Sequence, residues 1–233
     1  MSEAATLWEA GTQAIASVVE GVRRPLARVP IRPIGPGERQ RVVRHLLQLD
    51  THDRYLRFGY AATDAHIERY VAGLDFERDD LFGIYNRRLE LVAMAHLAFS
   101  VDPQFASCGE FGVSVLAHAR GRGYGGRLFD RAVIHARNQG VVMMFIHALS
   151  ENTAMLKIAR HAGATVERDG TESDAYLVLP AATLDTRVSE LVDHQFAHAN
   201  YMLKAQARRF RAVLATVQAV RQGVRAARDA SRA

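Results

Sequence analysis

The sequence predicts an α/β (α+β mixed) sheet, largely antiparallel, and three observations carry that prediction. Two apolar runs, Leu81–Tyr85 and Leu89–Phe99, are joined by the short polar Asn86-Arg87-Arg88 and read as a β-hairpin. A strand over 110–116 then enters a turn holding Gly121, Gly123, Gly125 and Gly126, after which the apolar spacing becomes helical at Leu128, Phe129, Ala132, Val133 and Ala136. Val141–Leu149 follows as a nearly continuous apolar stretch, as expected of a central strand buried on both faces. A meander that enters one crossover helix and returns to a buried strand requires a sheet of mixed direction.

Each remaining element has its own local cause. Leu7, Trp8, Ile15, Val18, Val19 and Val22 fall on one side of an amphipathic helix over 2–23, closed by Arg23-Arg24-Pro25. Residues 26–36 hold three of the six prolines, so they read as extended chain, with a first strand around Ile31–Ile34. Gly37–Leu49 is helical by the spacing of Val42, Val43, Leu46, Leu47 and Leu49, and 51–60 breaks that spacing. A further helix covers Asp64–Ala72, with Thr63 as its N-cap. Gly140 closes the crossover helix, and Ser150–Asn152 caps another from Thr153 to Ala162 that ends at Gly163. Thr165–Arg168 and Tyr176–Leu179 flank a hairpin-like connection, and 184–229 is helical without a strand signal. The expected organisation is an N-terminal helix and linker over 1–28, a main domain over 29–180 and a helical extension over 181–233.

Composition narrows the class of activity. The chain is 48% hydrophobic over 233 residues, enough for a proper core. The single Cys108 excludes a disulfide framework, and no Cys/His cluster has zinc-ligand spacing, so no metal is expected. The N-terminus lacks the basic and apolar regions of an export signal, and no apolar run reaches bilayer length, which predicts a cytoplasmic protein. The net charge of +5 belongs to the last 53 residues, which hold nine Lys/Arg against four Asp/Glu. There Val213, Leu214, Val217 and Val220 make an apolar stripe among arginines, as in a helix packed on its own domain or on a second subunit. Nucleic-acid or anionic-membrane binding is the alternative use of such a face.

The chemistry concentrates in the stretch Glu110 to Phe129. Glycines after a strand let the backbone bend and bring several N–H groups to one ligand, and the helix start adds unpaired donors and a positive dipole end. The ligand class is a phosphate or pyrophosphate. Gly121, Gly123 and Gly126 satisfy G-x-G-x-x-G, but that dinucleotide motif belongs to the first strand and helix of a parallel unit, with an acidic residue ending the next strand. Here antiparallel strands come first, and the strand after the helix ends in His147 and Leu149. A Walker motif fails because no Gly-Lys-Ser/Thr is present in the loop.

The loop also reads as R-x-x-G-x-G, with Arg120, Gly123 and Gly125. With Glu110 ten residues earlier, and with Asn152 followed by a helix ending at Gly163, the segment 29–180 resembles the GNAT superfamily of acyl-CoA-dependent N-acyltransferases. Residues 51–60 and His96–Phe99 resemble the subgroup that includes bacterial protein-lysine acetyltransferases. The resemblance implies that acetyl-CoA is the acyl donor. Val113, Ser114 and Val115 would then lie along its pantetheine arm, and Arg120, Gly121, Arg122, Gly123, Tyr124, Gly125 and Gly126 would cradle its pyrophosphate, with Asn152 also in contact. It implies direct transfer to a primary amine, on a small molecule or a protein lysine, with Glu110 as the general base and a strand N–H near Val115 at the oxyanion. Arg54, Tyr55 and Arg57, with Asp50 and His52, are candidates for the acceptor cleft.

The chain departs from the family pattern at two positions. Ala159 stands where many members carry a tyrosine proposed to protonate the departing thiolate, and Ala164 stands where an aromatic often follows the glycine. A thiol of pKa about 8.5 leaves tolerably unaided, and water, Tyr124 or His161 remain alternatives for that proton. The non-catalytic alternative is an acyl-CoA-binding sensor or scaffold. The blander readings make Glu110 an exposed strand residue, Asn152 an N-cap and the two arginines surface charges.

Overall fold

The computed structural model describes residues 29–100, 105, 107–170, 172–183, 186–198 and 201. The expected helix over 2–23, the basic stripe around 208–232 and the dimer, nucleic-acid and membrane roles suggested for them lie outside the described residues.

The hairpin that the sequence predicts forms from β2 (Asp80–Tyr85) and β3 (Leu91–Phe99), almost every residue of which is buried. Its turn is built by Asn86, whose side-chain oxygen accepts from Arg88 N–H at 2.8 Å and Glu90 N–H at 3.0 Å, while Leu89 takes the left-handed φ of 60°. β1 (Ile31–Pro33) adds to the free side of β2, where a proline is tolerated because an edge strand need not donate. β4 (Cys108–Val115), β5 (Met143–Leu149), β6 (Thr165–Asp169) and β7 (Glu172–Val178) complete a seven-stranded sheet in the order β1-β2-β3-β4-β5-β7-β6. Every neighbouring pair is antiparallel except β4–β5. That pair is joined by the crossover helix α4 (Tyr124–Asn138), as a parallel connection demands.

Helices cover both faces. α1 (Arg39–Leu47) and α3 (Asp64–Ala72) bury Val42, Leu46, Ile67 and Val71 against Leu81 and Met94. α3 opens on Thr63, which forms a reciprocal capping box with His66. On the other face, α4 and α5 (Thr153–His161) bury Leu128, Phe129 and Leu156 against Phe111, Met144 and Ile146. Phe111 and Phe129 meet edge to face with centroids 5.0 Å apart. Burying one such side chain stabilises by about 1.5–3 kcal/mol.

Three boundaries differ from the sequence reading. Residues 51–60, expected to break the helical spacing, contain α2 (Thr51–Phe58). Asp50 caps it by accepting from Asp53 N–H at 2.7 Å, and Gly59 ends it at φ 79°. Its one buried residue is Asp53, so it has no apolar stripe for periodicity to find. Gly125 and Gly126, expected in the loop, lie in the first turn of α4, because Gly123 at φ 71° is already the N-cap. β7 begins at Glu172, so the polar connection expected before it shrinks to a tight turn around Gly170 at φ 59°.

The helical residues 186–198, α6, are fastened to α4 by charge. Glu190 accepts from Arg131 Nη1 at 2.7 Å and also pairs with His135 Nδ1, whose Nε2 reaches Asp80 Oδ2 at 2.8 Å. Burial alone would lower the His135 pKa, but hydrogen bonds to Asp80 and Glu190 raise it to about 9. Burial would raise the pKa of Glu190, but hydrogen bonds from His135, Asn138 and Arg131 hold its carboxyl down at about 2. No helix among the described residues is long and apolar enough to cross a membrane.

Candidate active site

The parallel β4–β5 ladder is short. It pairs Cys108 with Met143, Gly109 with Met144 and Glu110 with Phe145, and there it stops. Leu116 N–H donates to Val92 O across the antiparallel β3–β4 pair. The alternation of such a pair then turns the main-chain groups of Phe111, Val113 and Val115 away from β3, toward the side on which β5 has left. The result is a cleft of about 320 Å³ between the two strands. Glu110–Val113 form one wall and His147–Leu149 the other, with the end of α2, Leu56–Gly59, across the mouth. Asn152, Met155 and Asp174 complete the lining.

Beyond the cleft, the chain passes through the short turn Ala117–Ala119 into the glycine loop. Gly121 at φ 74° and Gly123 at φ 71° occupy left-handed conformations that a β-carbon would strain. α4 starts without a side-chain cap, so its first-turn N–H groups keep their donors available, as the anion-trap reading requires. At Gly125 a Cβ would lie 3.1 Å from Ile158 Cδ1 of α5, a close contact that the isoleucine would have to relieve.

The predicted residues divide into those that share the cleft and those used elsewhere. Glu110, Val113, Asn152 and Arg57 line it. Glu110 is exposed and shares a strand face with Gly112 and Ser114, as alternation predicts. Ser114 itself is turned into the protein. His45 Nδ1–H donates to Leu91 O at 2.9 Å, which leaves Nε2 to accept from Ser114 Oγ–H at 2.8 Å. Burial pushes the His45 pKa down to about 4, so the ring is neutral and this tautomer holds.

Arg120, expected on a pyrophosphate, pairs with the buried Asp53 of α2, and its Nε donates to Val115 O at 3.3 Å. Arg122 is exposed. Tyr124 packs partly against the core. Asn152 is the N-cap of α5, its oxygen accepting from Met155 N–H at 3.1 Å, and its amide donates to Leu56 O at 3.4 Å where the residue lines the cleft. Arg54 is a clamp. It donates to Leu49 O at 3.0 Å, Leu47 O at 2.9 Å and Ala62 O at 3.3 Å and pairs with Asp64 at 2.6 Å, so it joins α1, α2 and α3 rather than facing the cleft. Tyr55 is half-buried, and neither it nor Asp50 or His52 lines the cleft. Ala159 is fully buried in the core, so its position offers no side chain to the cleft.

Behind the predicted Arg57 stand residues that the sequence reading missed. Arg57 lies across Gly112, donates from Nη2 to Tyr70 OH at 3.1 Å and stacks over Phe58 at 5.2 Å. Tyr70 OH meets His96 Nδ1 at 2.8 Å, and His96 Nε2 meets Asp79 Oδ2 at 3.2 Å. The register of β3 against β4, which sets His96 opposite Gly112, is the signal that joins them. No group of His, Cys, Asp and Glu suited to a metal occurs among the described residues.

A strand that enters a glycine loop and a helix start is the arrangement that the motif implied, and the comparisons with known proteins agree with it. The model of the acetyltransferase (GNAT) family matches residues 43–164, just over half of the chain. The chain belongs to the GNAT acetyltransferase family. Among solved structures, it is similar to the GNAT domain of PAT from S. lividans, with 21% identity, a TM-score of 0.55 and coverage of 64% of this chain and 89% of that one. It is likewise similar to a GNAT-family acetyltransferase from Streptococcus pneumoniae, at 12% identity and a TM-score of 0.52, over 64% and 98% of the two chains. The N-acetyltransferase from Staphylococcus aureus Mu50 matches at 15% identity and a TM-score of 0.52, over 64% and 98%. These likenesses establish the fold. No curated protein matches the chain. Membership of the GNAT family makes acyl transfer from an acyl-CoA the general chemistry of this domain.

Proposed function

We propose that this GNAT domain transfers an acetyl group from acetyl-CoA to a primary amine, directly and without a covalent enzyme intermediate. The observation that carries the reading is the three-pair β4–β5 ladder, which opens main-chain groups of Val113 and Val115 to a ligand. The pantetheine arm would take the place of the missing strand pairing along them, and the pyrophosphate would sit on Gly121, Gly123 and the first turn of α4. Arg120 supports this loop through Asp53, and Arg122 is the arginine left exposed beside it.

Glu110 stands at the last paired position, where the two strands part. There its carboxylate, directly or through water, removes a proton from the substrate ammonium, since only the free amine attacks a thioester. An N–H near Val115 stabilises the oxyanion, and the thiolate takes its proton from water, Tyr124 or His161, because the buried Ala159 supplies none. Most of the acceleration comes from holding amine and thioester together.

Titration calorimetry with acetyl-CoA, followed by thiol release over an amine panel, tests the reading. Glu110→Gln should lower kcat about 10²- to 10⁴-fold with acetyl-CoA affinity nearly unchanged. An unaltered pH–rate profile in that variant removes Glu110 from the role. Binding with no turnover on any amine supports the sensor reading that Ala159 motivates instead.

A further inference from the structure

The acceptor side of the cleft holds a cation. Arg57 lines the cleft on the face of β4 that also bears Glu110. Its guanidinium lies so close over Gly112 that a Cβ there would stand 2.6 Å from Nη2, 2.7 Å from Cζ and 2.9 Å from Nη1. The strand therefore lacks a side chain at the point where the guanidinium crosses it.

The group is also held from behind, and the direction of each hydrogen bond can be assigned. Arginine can only donate, so Arg57 Nη2 donates to Tyr70 O at 3.1 Å. Tyr70 O–H then donates to His96 Nδ1 at 2.8 Å, and His96 Nε2–H donates to Asp79 Oδ2 at 3.2 Å. The chain ends on a carboxylate that is itself paired with Arg78 at 2.8 Å. Each member fixes the next, and Arg57 is further stacked on Phe58 at 5.2 Å and Tyr70 at 5.7 Å.

Yet the fixed guanidinium meets no carboxylate at ion-pair distance among the described residues, and one hydrogen bond occupies one of its five N–H donors. Its charge is felt by its neighbours: both His45 and His96 are lowered, chiefly by burial and then by Arg57. A planar cation oriented at a cleft wall, with its fork unfilled, suits a planar anion.

We infer that Arg57 binds a carboxylate of the acceptor, so that the acceptors of this cleft are amines bearing a nearby carboxylate, as amino acids do, with Tyr70, His96 and Asp79 as positioning residues. The inference rests on the acetyl-transfer reading above. On it, the ammonium of the acceptor faces Glu110 while its carboxylate faces Arg57, and deprotonation delivers the free amine to the thioester. A carboxylate could also arrive on the acyl chain of the donor. The face of β4 shared with Glu110 assigns it to the acceptor.

The experiment uses the full chain and matched pairs: lysine against cadaverine, and phenylalanine against phenethylamine, with acetyl-CoA, plus phenethylamine with succinyl-CoA against acetyl-CoA. Calorimetry with acetyl-CoA alone runs beside it. The expected result is a kcat/KM about 10- to 100-fold higher for the carboxylated member of at least one pair, lost mainly through KM in Arg57→Gln, with acetyl-CoA binding intact. Tyr70→Phe and His96→Gln should give smaller rises in KM for the carboxylated member alone, with little change for its decarboxylated partner. Equal rates within both pairs, or no turnover of the carboxylated amines while acetyl-CoA binds, overturn the inference and leave the coenzyme reading standing. A succinyl-CoA preference that Arg57→Gln abolishes, with no preference among acceptors, overturns it in favour of the donor. Failure to bind acetyl-CoA removes both readings.

Discussion

The stability of this protein should fall on the alkaline side of neutrality, because of His135. The imidazole sits between Asp80 and Glu190 and fastens α6 to α4 and the sheet. Its pKa is raised from 6.5 to about 9, so the stability it contributes is fully present below pH 6.5 and is lost as the pH rises through 9. At about 1.4 kcal/mol per pKa unit, the shift corresponds to about 3 kcal/mol, an upper figure because solvent reaches the Asp80 side of the pair. For a domain of this size that amounts to a fall in Tm of about 6–12 °C. Calorimetric melts of the wild type and His135→Gln between pH 6 and pH 10 measure it. The wild-type Tm should drop across that range, and the variant, already lower at pH 6, should change much less. Parallel curves for the two proteins would refute the assignment. The acid side has a different cause: His45, lowered to about 4, makes stability fall as the pH drops from 6.5 through 4. Maximum stability is therefore expected near pH 6.5.

Arg54 and Arg57, three residues apart on α2, should separate cleanly. Arg54→Ala removes the clamp across α1, α2 and α3 and should cost about 2–3 kcal/mol in denaturant unfolding, whereas Arg57→Gln should leave stability within about 1 kcal/mol and change acceptor KM. Gly112→Ala brings a methyl group against the Arg57 guanidinium, which as the end of a flexible side chain can move. We expect about 1–2 kcal/mol of destabilisation with a raised acceptor KM; an unchanged KM would show that the position of Arg57 does not matter. Asn152→Ala should lose about 1 kcal/mol through the cap of α5. Comparing melts with and without acetyl-CoA then shows whether that side chain also touches the coenzyme.

Much of the fold was legible because its buried elements announce themselves by periodicity. Strands β2, β3 and β5 have apolar runs, α3 has its Thr63 cap, and α4 and α5 end at glycines with φ of 84° and 86°. α2 stayed hidden because its buried residue is an aspartate and its exposed side borders a cleft. The same cause limited the site. Val113 and Asn152 follow from the family resemblance and the glycine loop from its spacing, but Ser114 and Arg120 acquire their partners, His45 and Asp53, from helices 69 and 67 residues away in sequence. Arg54 and Arg57 sit in one short segment, and only the packing of α1, α2 and α3 shows that the first is structural and the second faces the cleft. His96 joins the site only through the register that places Gly112 opposite it.

The brevity of the β4–β5 ladder also has a mechanical side. Residues 31–115 supply four strands on one side of it, and residues 143–178 supply three on the other. The sheet is thus two panels joined along a seam of three residue pairs, with α4 as the α-helix that links those strands in sequence. The width of the cleft is set by few backbone bonds, while the core beneath α4 and α5 runs unbroken under both panels. A ligand that bonds both edges would stitch the seam, and amide exchange at Val113 and Val115 would slow as it arrived.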